Sequence, residues 1–175
     1  MLETLISSRT RIKLLLKFFL NAQSKGYLRS LEHEFGESTN AIRLELNKFE
    51  EAGMLSSESE GNKKVYRANP KHPLFENLHG LVMKYVGLDK IVDSITERLG
   101  KVEAVYLVGD YAEGRDSGII DLFVLGSELN MDYLLILLEK AEKEIERKIR
   151  YVHFKSRVEI EKLLDRQSYL LIWES

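Results

Sequence analysis

Near the middle of this chain, two short apolar runs bracket a polar, glycine-punctuated loop. The first run is Val102-Glu103-Ala104-Val105-Tyr106-Leu107-Val108, and the second is Ile119-Ile120-Asp121-Leu122-Phe123-Val124-Leu125. Their length and their β-branched and aromatic content predict two strands. Between them, Gly109, Gly114 and Gly118 break any regular pattern, and Asp110, Glu113 and Asp116 add carboxylates. Asp121 interrupts the second apolar run. A carboxylate there either closes a buried strand or serves chemistry.

The surrounding pattern extends this pair into a layered domain. Ile91, Val92, Ile95 and Leu99 recur at helical spacing over about 88–99, ahead of the first strand. Leu134, Leu135, Leu138, Ala141 and Ile145 predict a long helix over about 130–148. A third strand is read at Ile149–Phe154 and a last helix at Arg157–Leu164, before the apolar end Tyr169-Leu170-Leu171-Ile172-Trp173. Helix, strand, loop, strand, helix, strand is an α/β layout.

The stretch Val108–Gly126 resembles the active-site loop of the minimal nucleotidyltransferases of the polymerase-beta superfamily. That family carries apolar-Gly-Ser, then about ten residues, then Asp-apolar-Asp-apolar. The resemblance places Asp121 at the second aspartate, Ile119 at the first and Asp110 at the serine. Gly109, Asp110, Ile119 and Asp121 thus form a degenerate nucleotidyltransferase site. In the family, two carboxylates two apart on a strand share a face and hold the metal ions of phosphoryl transfer. Ile119 cannot ligate a metal, Asp110 sets an anion where a phosphate is expected, and Ile149–Phe154 supplies no third carboxylate. The resemblance therefore implies the fold without catalytic residues, bound metal or cofactor, and the chain is expected not to be an enzyme.

The first half has a different texture. Ile12, Leu15, Leu16, Phe19 and Leu20 give an amphipathic helix over 9–22, and Gly26 ends the pattern. A short helix at Leu28–Phe35 precedes the turn Gly36-Glu37-Ser38. A third helix, capped by Ser38 or Thr39, runs to about Ala52 and stops at Gly53. Met54–Glu58 and Lys63–Arg67 flank Ser59-Glu60-Gly61-Asn62 and read as a hairpin. This order, and the segment Ser38–Leu55 ending in Glu50-Glu51-Ala52-Gly53-Met54-Leu55, resembles the winged helix-turn-helix domain of ArsR-like bacterial repressors.

On the third helix, Ile42, Leu46 and Phe49 share a core face. Thr39 opens the helix, and Asn40, Arg43, Leu44 and Asn47 face outward. Asn and Arg can read base edges, and Leu44 can touch a thymine methyl. Lys63, Lys64 and Arg67 on the hairpin suit phosphate contacts. The alternative is an ordinary solvated face.

Asn69-Pro70-Lys71-His72-Pro73 holds both prolines and marks the join. The expected organisation is an α+β or α/β two-domain chain. Residues 1–70 form the winged helix-turn-helix, 71–87 a linker helix, and 88–175 the nucleotidyltransferase-like α/β domain. Leu74, Leu78, Leu81 and Tyr85 line one side of the linker helix, as a dimer seam or a docking face.

Composition narrows the function classes. Residues 1–80 carry 12 Lys+Arg against 10 Asp+Glu, and residues 81–175 carry 14 against 18. Any polyanion-binding surface belongs in the first half. The chain has no cysteine, which excludes disulfides and thiolate metal sites. His33, His72, His79 and His153 show no ligand spacing. No apolar run reaches the length of a membrane span, and the start lacks a signal-peptide pattern, so no membrane association and a cytoplasmic location are expected. The leading expectation is a homodimeric regulator of transcription on double-stranded DNA, with an inactive nucleotidyltransferase-like module open to an unidentified nucleotide or protein ligand. The alternatives are an active minimal nucleotidyltransferase or antitoxin-type partner protein, and an interaction module without a DNA role.

Overall fold

The computed structural model describes residues 2–175, leaving aside the side chains of 96–98. The chain divides into two units, Met1–Tyr85 and Val86–Ser175. The helix after Pro73 groups with the first unit instead of standing alone as a linker.

In the first unit, α1 (Leu2–Leu5) leads to α2 (Arg9–Leu15), whose N-cap Ser8 accepts from Arg11 N at 3.2 Å. The helix continues through Leu16–Leu20 as a π-helical stretch, not as regular α-helix to residue 22. All five residues of that stretch are buried, Lys17 included. Then follow β1 (Lys25–Tyr27), α3 (Leu28–Phe35) and α4 (Thr39–Glu51). Gly36 separates the two helices in a left-handed conformation that favours glycine. Ser38 caps α4 by accepting from Ala41 N at 3.2 Å.

The hairpin is β2 (Leu55–Glu60) and β3 (Lys63–Ala68), and β1 pairs with its second strand to give the order β1-β3-β2. Ile42, Leu46 and Phe49 of α4 are buried with Phe18, Phe19 and Leu31, whereas Leu44 is 62% exposed. Helix α5 (Phe75–Val86) is tied to the same unit. Phe75 packs on Phe19 at 5.8 Å, and His79 Nδ1 lies 2.8 Å from the Phe19 carbonyl oxygen.

The second unit is built on a four-stranded sheet of order β6-β5-β4-β7. Helix α6 (Leu88–Arg98) precedes β4 (Lys101–Val108), the one-turn helix α7 (Gly109–Ala112) and β5 (Ile119–Ser127). Then come α8 (Met131–Ile145), β6 (Lys148–Phe154), α9 (Arg157–Leu164) and β7 (Tyr169–Glu174). The apolar end of the sequence is thus an edge strand, antiparallel to β4. Strands β5 and β6 run parallel, joined by α8, because a parallel pair needs a crossover connection.

Side chains alternate across this sheet. Val105, Leu107, Ile120, Leu122 and Val124 are at most 1% exposed. The opposite face carries three rows set by register. Phe154, Leu125 and Ala104 form the row that Ile160 and Leu164 of α9 cover. Next lie Val152, Phe123, Tyr106 and Leu171, and then Arg150, Asp121, Val108 and Tyr169. Val152, Tyr169 and Leu171 are between 42% and 49% exposed, so this end of the face is open.

One interior ion pair tests the packing of the first unit. Lys17 Nζ lies 3.0 Å from Glu34 Oε2, with the two side chains 8% and 13% exposed. Removing one partner of a buried pair strands the other charge, at a cost of about 3–5 kcal/mol, while an apolar pair of similar volume is often neutral. Lys17→Met should therefore destabilise the unit by about 3 kcal/mol. Adding Glu34→Leu should recover most of that loss. Urea titrations followed by far-UV circular dichroism measure both, and a double variant as unstable as the single one would refute the assignment.

Candidate functional site

The two strands flanking the loop meet in register at their ends, Val108 opposite Asp121. Gly109 then takes a left-handed φ of 67° and turns the chain into α7. It is glycine for a second reason. A Cβ placed there would stand 2.8 Å from Asp121 Oδ2, so the carboxylate lies directly against the turn. Asp121 is therefore held by backbone pairing on one side and by close approach of the Gly109 backbone on the other.

Four carboxylates gather around this turn, and each meets an arginine. Asp110 accepts from Arg115 Nη2 at 2.6 Å and from Arg115 Nε at 3.2 Å. Arg115 also binds Glu113. Asp116 accepts from Arg147 Nη2 at 2.9 Å and from the Tyr111 hydroxyl. Asp121 accepts from Arg150 twice, Nε at 2.6 Å and Nη2 at 2.8 Å, a bidentate pair. Arg150 follows from register alone, since it stands opposite Asp121 on the parallel strand β6.

The network fixes the loop. Tyr111 is fully buried and accepts from Arg147 Nε at 2.7 Å while donating to Asp116. Burial and the neighbouring Asp116 carboxylate push the Tyr111 hydroxyl well above its ordinary pKa. The Arg115 guanidinium holds Asp110 below the usual aspartate range against a smaller opposing effect of burial. Burial pushes Asp116 upward, but hydrogen bonds from Arg147 and Tyr111 outweigh it and leave the carboxyl lowered.

Ile119 shares the strand face of Asp121 and offers no donor, as read from the sequence. Among the described residues, no group of three His, Cys, Asp or Glu side chains could hold a metal ion. Both Asp121 oxygens are already bound to Arg150. The residues as folded do not fit the paired divalent ions of the nucleotidyltransferase family.

In the first unit, Arg43, Asn47, Lys63 and Lys64 line one groove of about 530 Å3, together with Arg29, Tyr27 and Tyr66. Asn40 and Leu44 lie exposed on the same helix outside that lining, and Thr39 is half-buried at its start. Several of the cations are engaged. Lys64 pairs with Glu50 at 2.6 Å, and Arg67 meets Glu58 at 2.9 Å and Glu60 at 3.3 Å. Lys63 stands over the Tyr27 ring, 4.3 Å from its centroid.

No protein-family model and no curated protein matches the chain. Similarity is found to solved structures. A mutant of the toxin–antitoxin MntA–HpeT is 19% identical over 50% of this chain and 72% of its own, with a TM-score of 0.40. A chain of the complex between tri-AMPylated HEPN toxin and MNT antitoxin from Shewanella oneidensis is 19% identical over 53% of this chain and 74% of its own, at 0.40. A nucleotidyltransferase candidate from Sulfolobus solfataricus is 24% identical over 53% of this chain and 82% of its own, at 0.35. The likeness is one of fold, over about half of the chain.

Two expectations are corrected. The structures similar to this chain are of toxin–antitoxin and nucleotidyltransferase type and not of transcription regulators, so the reading as a DNA-binding transcription regulator with an inactive module is not carried further. In the first unit, Lys64 and Arg67 stand beside carboxylates that offset their charge, Glu50 for Lys64 and Glu58 and Glu60 for Arg67. The expectation that the chain is no enzyme is likewise not carried further, since these structures are of nucleotidyltransferase type. That expectation rested on Ile119, on the lack of a carboxylate in Ile149–Phe154 and on repulsion from Asp110, and of these Arg115 answers the last by pairing with Asp110.

The sequence reading named Gly109, Asp110, Ile119 and Asp121 but missed Arg115, Arg147, Arg150 and Tyr111. No spacing rule links an arginine to a carboxylate on another strand before the register is known.

The lowered carboxyls at Asp110 and Asp116 set the pH response. A group with a folded pKa below its unfolded one stabilises above the unfolded pKa, about 3.9 for Asp, and that stability is lost as pH falls through the folded value. The second unit should thus weaken in acid below about pH 4. Trp173, the chain's one tryptophan, lies in this unit and reports its unfolding. Arg147→Met should lower stability at pH 7 and flatten the decline between pH 5 and 3, read by tryptophan fluorescence in urea. An unchanged acid slope would show that Asp116 is not held by Arg147.

Proposed function

We propose that this chain is an antitoxin-type protein of the nucleotidyltransferase fold, which binds a nucleotide beside the Gly109 turn and acts together with a protein partner. The observation that carries the reading is the placement of Asp121 against Gly109 at the open end of the sheet face. A glycine turn at the end of one strand and a carboxylate on the next is the arrangement that phosphoryl-transfer sites of this fold use. Arg115 on Asp110 and Arg150 on Asp121 offset the negative charge of the two carboxylates nearest Gly109.

Gly109, Asp110 and Asp121 are the site residues on this reading, with Ile119 in the place of a second strand carboxylate. The nucleotide would lie on the side of Val108, Asp121 and Arg150, where Phe123 and Val152 continue an apolar surface. The open sheet end gives a protein partner a surface to bind. A homodimer through Leu74, Leu78, Leu81 and Tyr85 is a further proposal. It fits the half-exposed Leu74, and light scattering with charges at Leu78 and Leu81 decides it.

The test of the main reading uses the full chain. It is incubated with a photoreactive nucleoside triphosphate and, separately, with one labelled at the α-phosphate, each with cell lysate and magnesium or manganese. Crosslinking to the chain should be lost on Gly109→Val, and transferred label on another protein should be lost on Asp121→Asn. A chain that neither crosslinks nor labels any protein refutes the proposal.

A further inference from the structure

Asp121 and Arg150 are the feature that the fold resemblance does not account for. The guanidinium binds both oxygens of the carboxylate, at 2.6 and 2.8 Å, and its charge also reaches Asp110. Asp110 in turn lies at the start of α7, one residue beyond the glycine on which Asp121 rests. Asp110 has its own partner in Arg115, and Arg150 is the cation bound to Asp121. The Arg150 side chain is 67% exposed and stands on an edge strand, so rotation of its stem frees the carboxylate without disturbing the core.

We propose that Arg150 is an internal counter-cation for Asp121, occupying the electrostatic position of a divalent ion and competing with one for this carboxylate. Charge arithmetic gives the reason. Asp121 lies against a turn whose next residue, Asp110, is also an anion, and a cation on Asp121 offsets the negative charge that folding collects there. The bidentate fork suits a carboxylate better than an ammonium would, which is why arginine and not lysine performs this role. The register of β5 and β6 delivers the charge without a loop or a second domain. Any ligand that binds Asp121 must first displace Arg150. A ligand with its own anionic group can do so by pairing with the freed guanidinium.

The inference rests on reading the Gly109 turn as a nucleotidyltransferase-type site, but its test does not depend on transfer. Manganese binding to the full chain is measured by electron paramagnetic resonance, in the absence of nucleotide. Arg150→Met keeps the apolar stem and removes the charge, and it should bind manganese at least about tenfold tighter than the unaltered chain, equivalent to about 1.4 kcal/mol. Arg150→Lys should fall between them, and it serves if the methionine variant folds poorly. Adding Asp121→Asn to Arg150→Met should return binding to the weak level. Equal affinity in the unaltered chain and in both Arg150 variants overturns the proposal, as does tighter binding that survives Asp121→Asn. Absence of label transfer alongside the expected manganese pattern would remove the transfer reading and leave the counter-cation in place.

Discussion

Parallel pairing of β5 with β6 is the constraint on which the second unit depends. A parallel pair cannot be closed by a hairpin, so α8 must cross over and bury Leu134, Leu138, Ala141 and Ile145. The same pairing sets which residue faces Asp121. A shift of β6 by one residue would carry Arg150 to the other face and put Ile149 or Tyr151 beside the carboxylate. Phe154, the buried residue of β6, packs with Leu125 and Ala104 under α9 and anchors the register. The polar pair is its consequence, not its cause. The core thus determines the electrostatics of the turn.

This explains how the site tolerates so many carboxylates. Asp110, Glu113, Asp116 and Asp121 lie within a short stretch, a concentration of charge that would repel in an open loop. Arg115 answers the first two from within the loop, Arg147 answers Asp116 from just beyond α8, and Arg150 answers Asp121 from β6. Two of the three arginines are far from their partners in sequence and arrive only when α8 and β6 dock. The loop and the crossover are therefore coupled. A disturbance at the end of α8 releases Asp116 and Tyr111 together, because Arg147 binds both.

Much of the fold was legible because it follows local rules. Ser38 at an N-cap, Gly36 and Gly53 at helix ends, and Gly61-Asn62 between two strands mark boundaries wherever they stand. The core face of α4 followed from the positions of Ile42, Leu46 and Phe49. Other features escaped for physical reasons. Helical periodicity cannot show a π-helical stretch, nor the pairing of Lys17 with Glu34, which lies on another helix. The apolar end at Tyr169–Trp173 carried no sign of which strand it would join. At the site, Asp121 and Gly109 were legible from their spacing, whereas the arginines required a register that no local rule supplies.

The degenerate position, Ile119, has a different meaning once the arginines are in view. In the nucleotidyltransferase pattern two strand carboxylates share a face and divide the charge of metal ions between them. Here the face keeps one strand carboxylate and adds one strand cation, Asp121 and Arg150, side by side. A second aspartate at Ile119 would not simply restore the pattern. It would bring another anion to a cluster that already holds four carboxylates and three arginines, and Arg150 would then be shared between two carboxylates. Isoleucine at 119 and arginine at 150 are thus consistent with each other as one electrostatic solution. The carboxylate that Ile119 lacks and the guanidinium that Arg150 supplies change the charge on this face in the same direction.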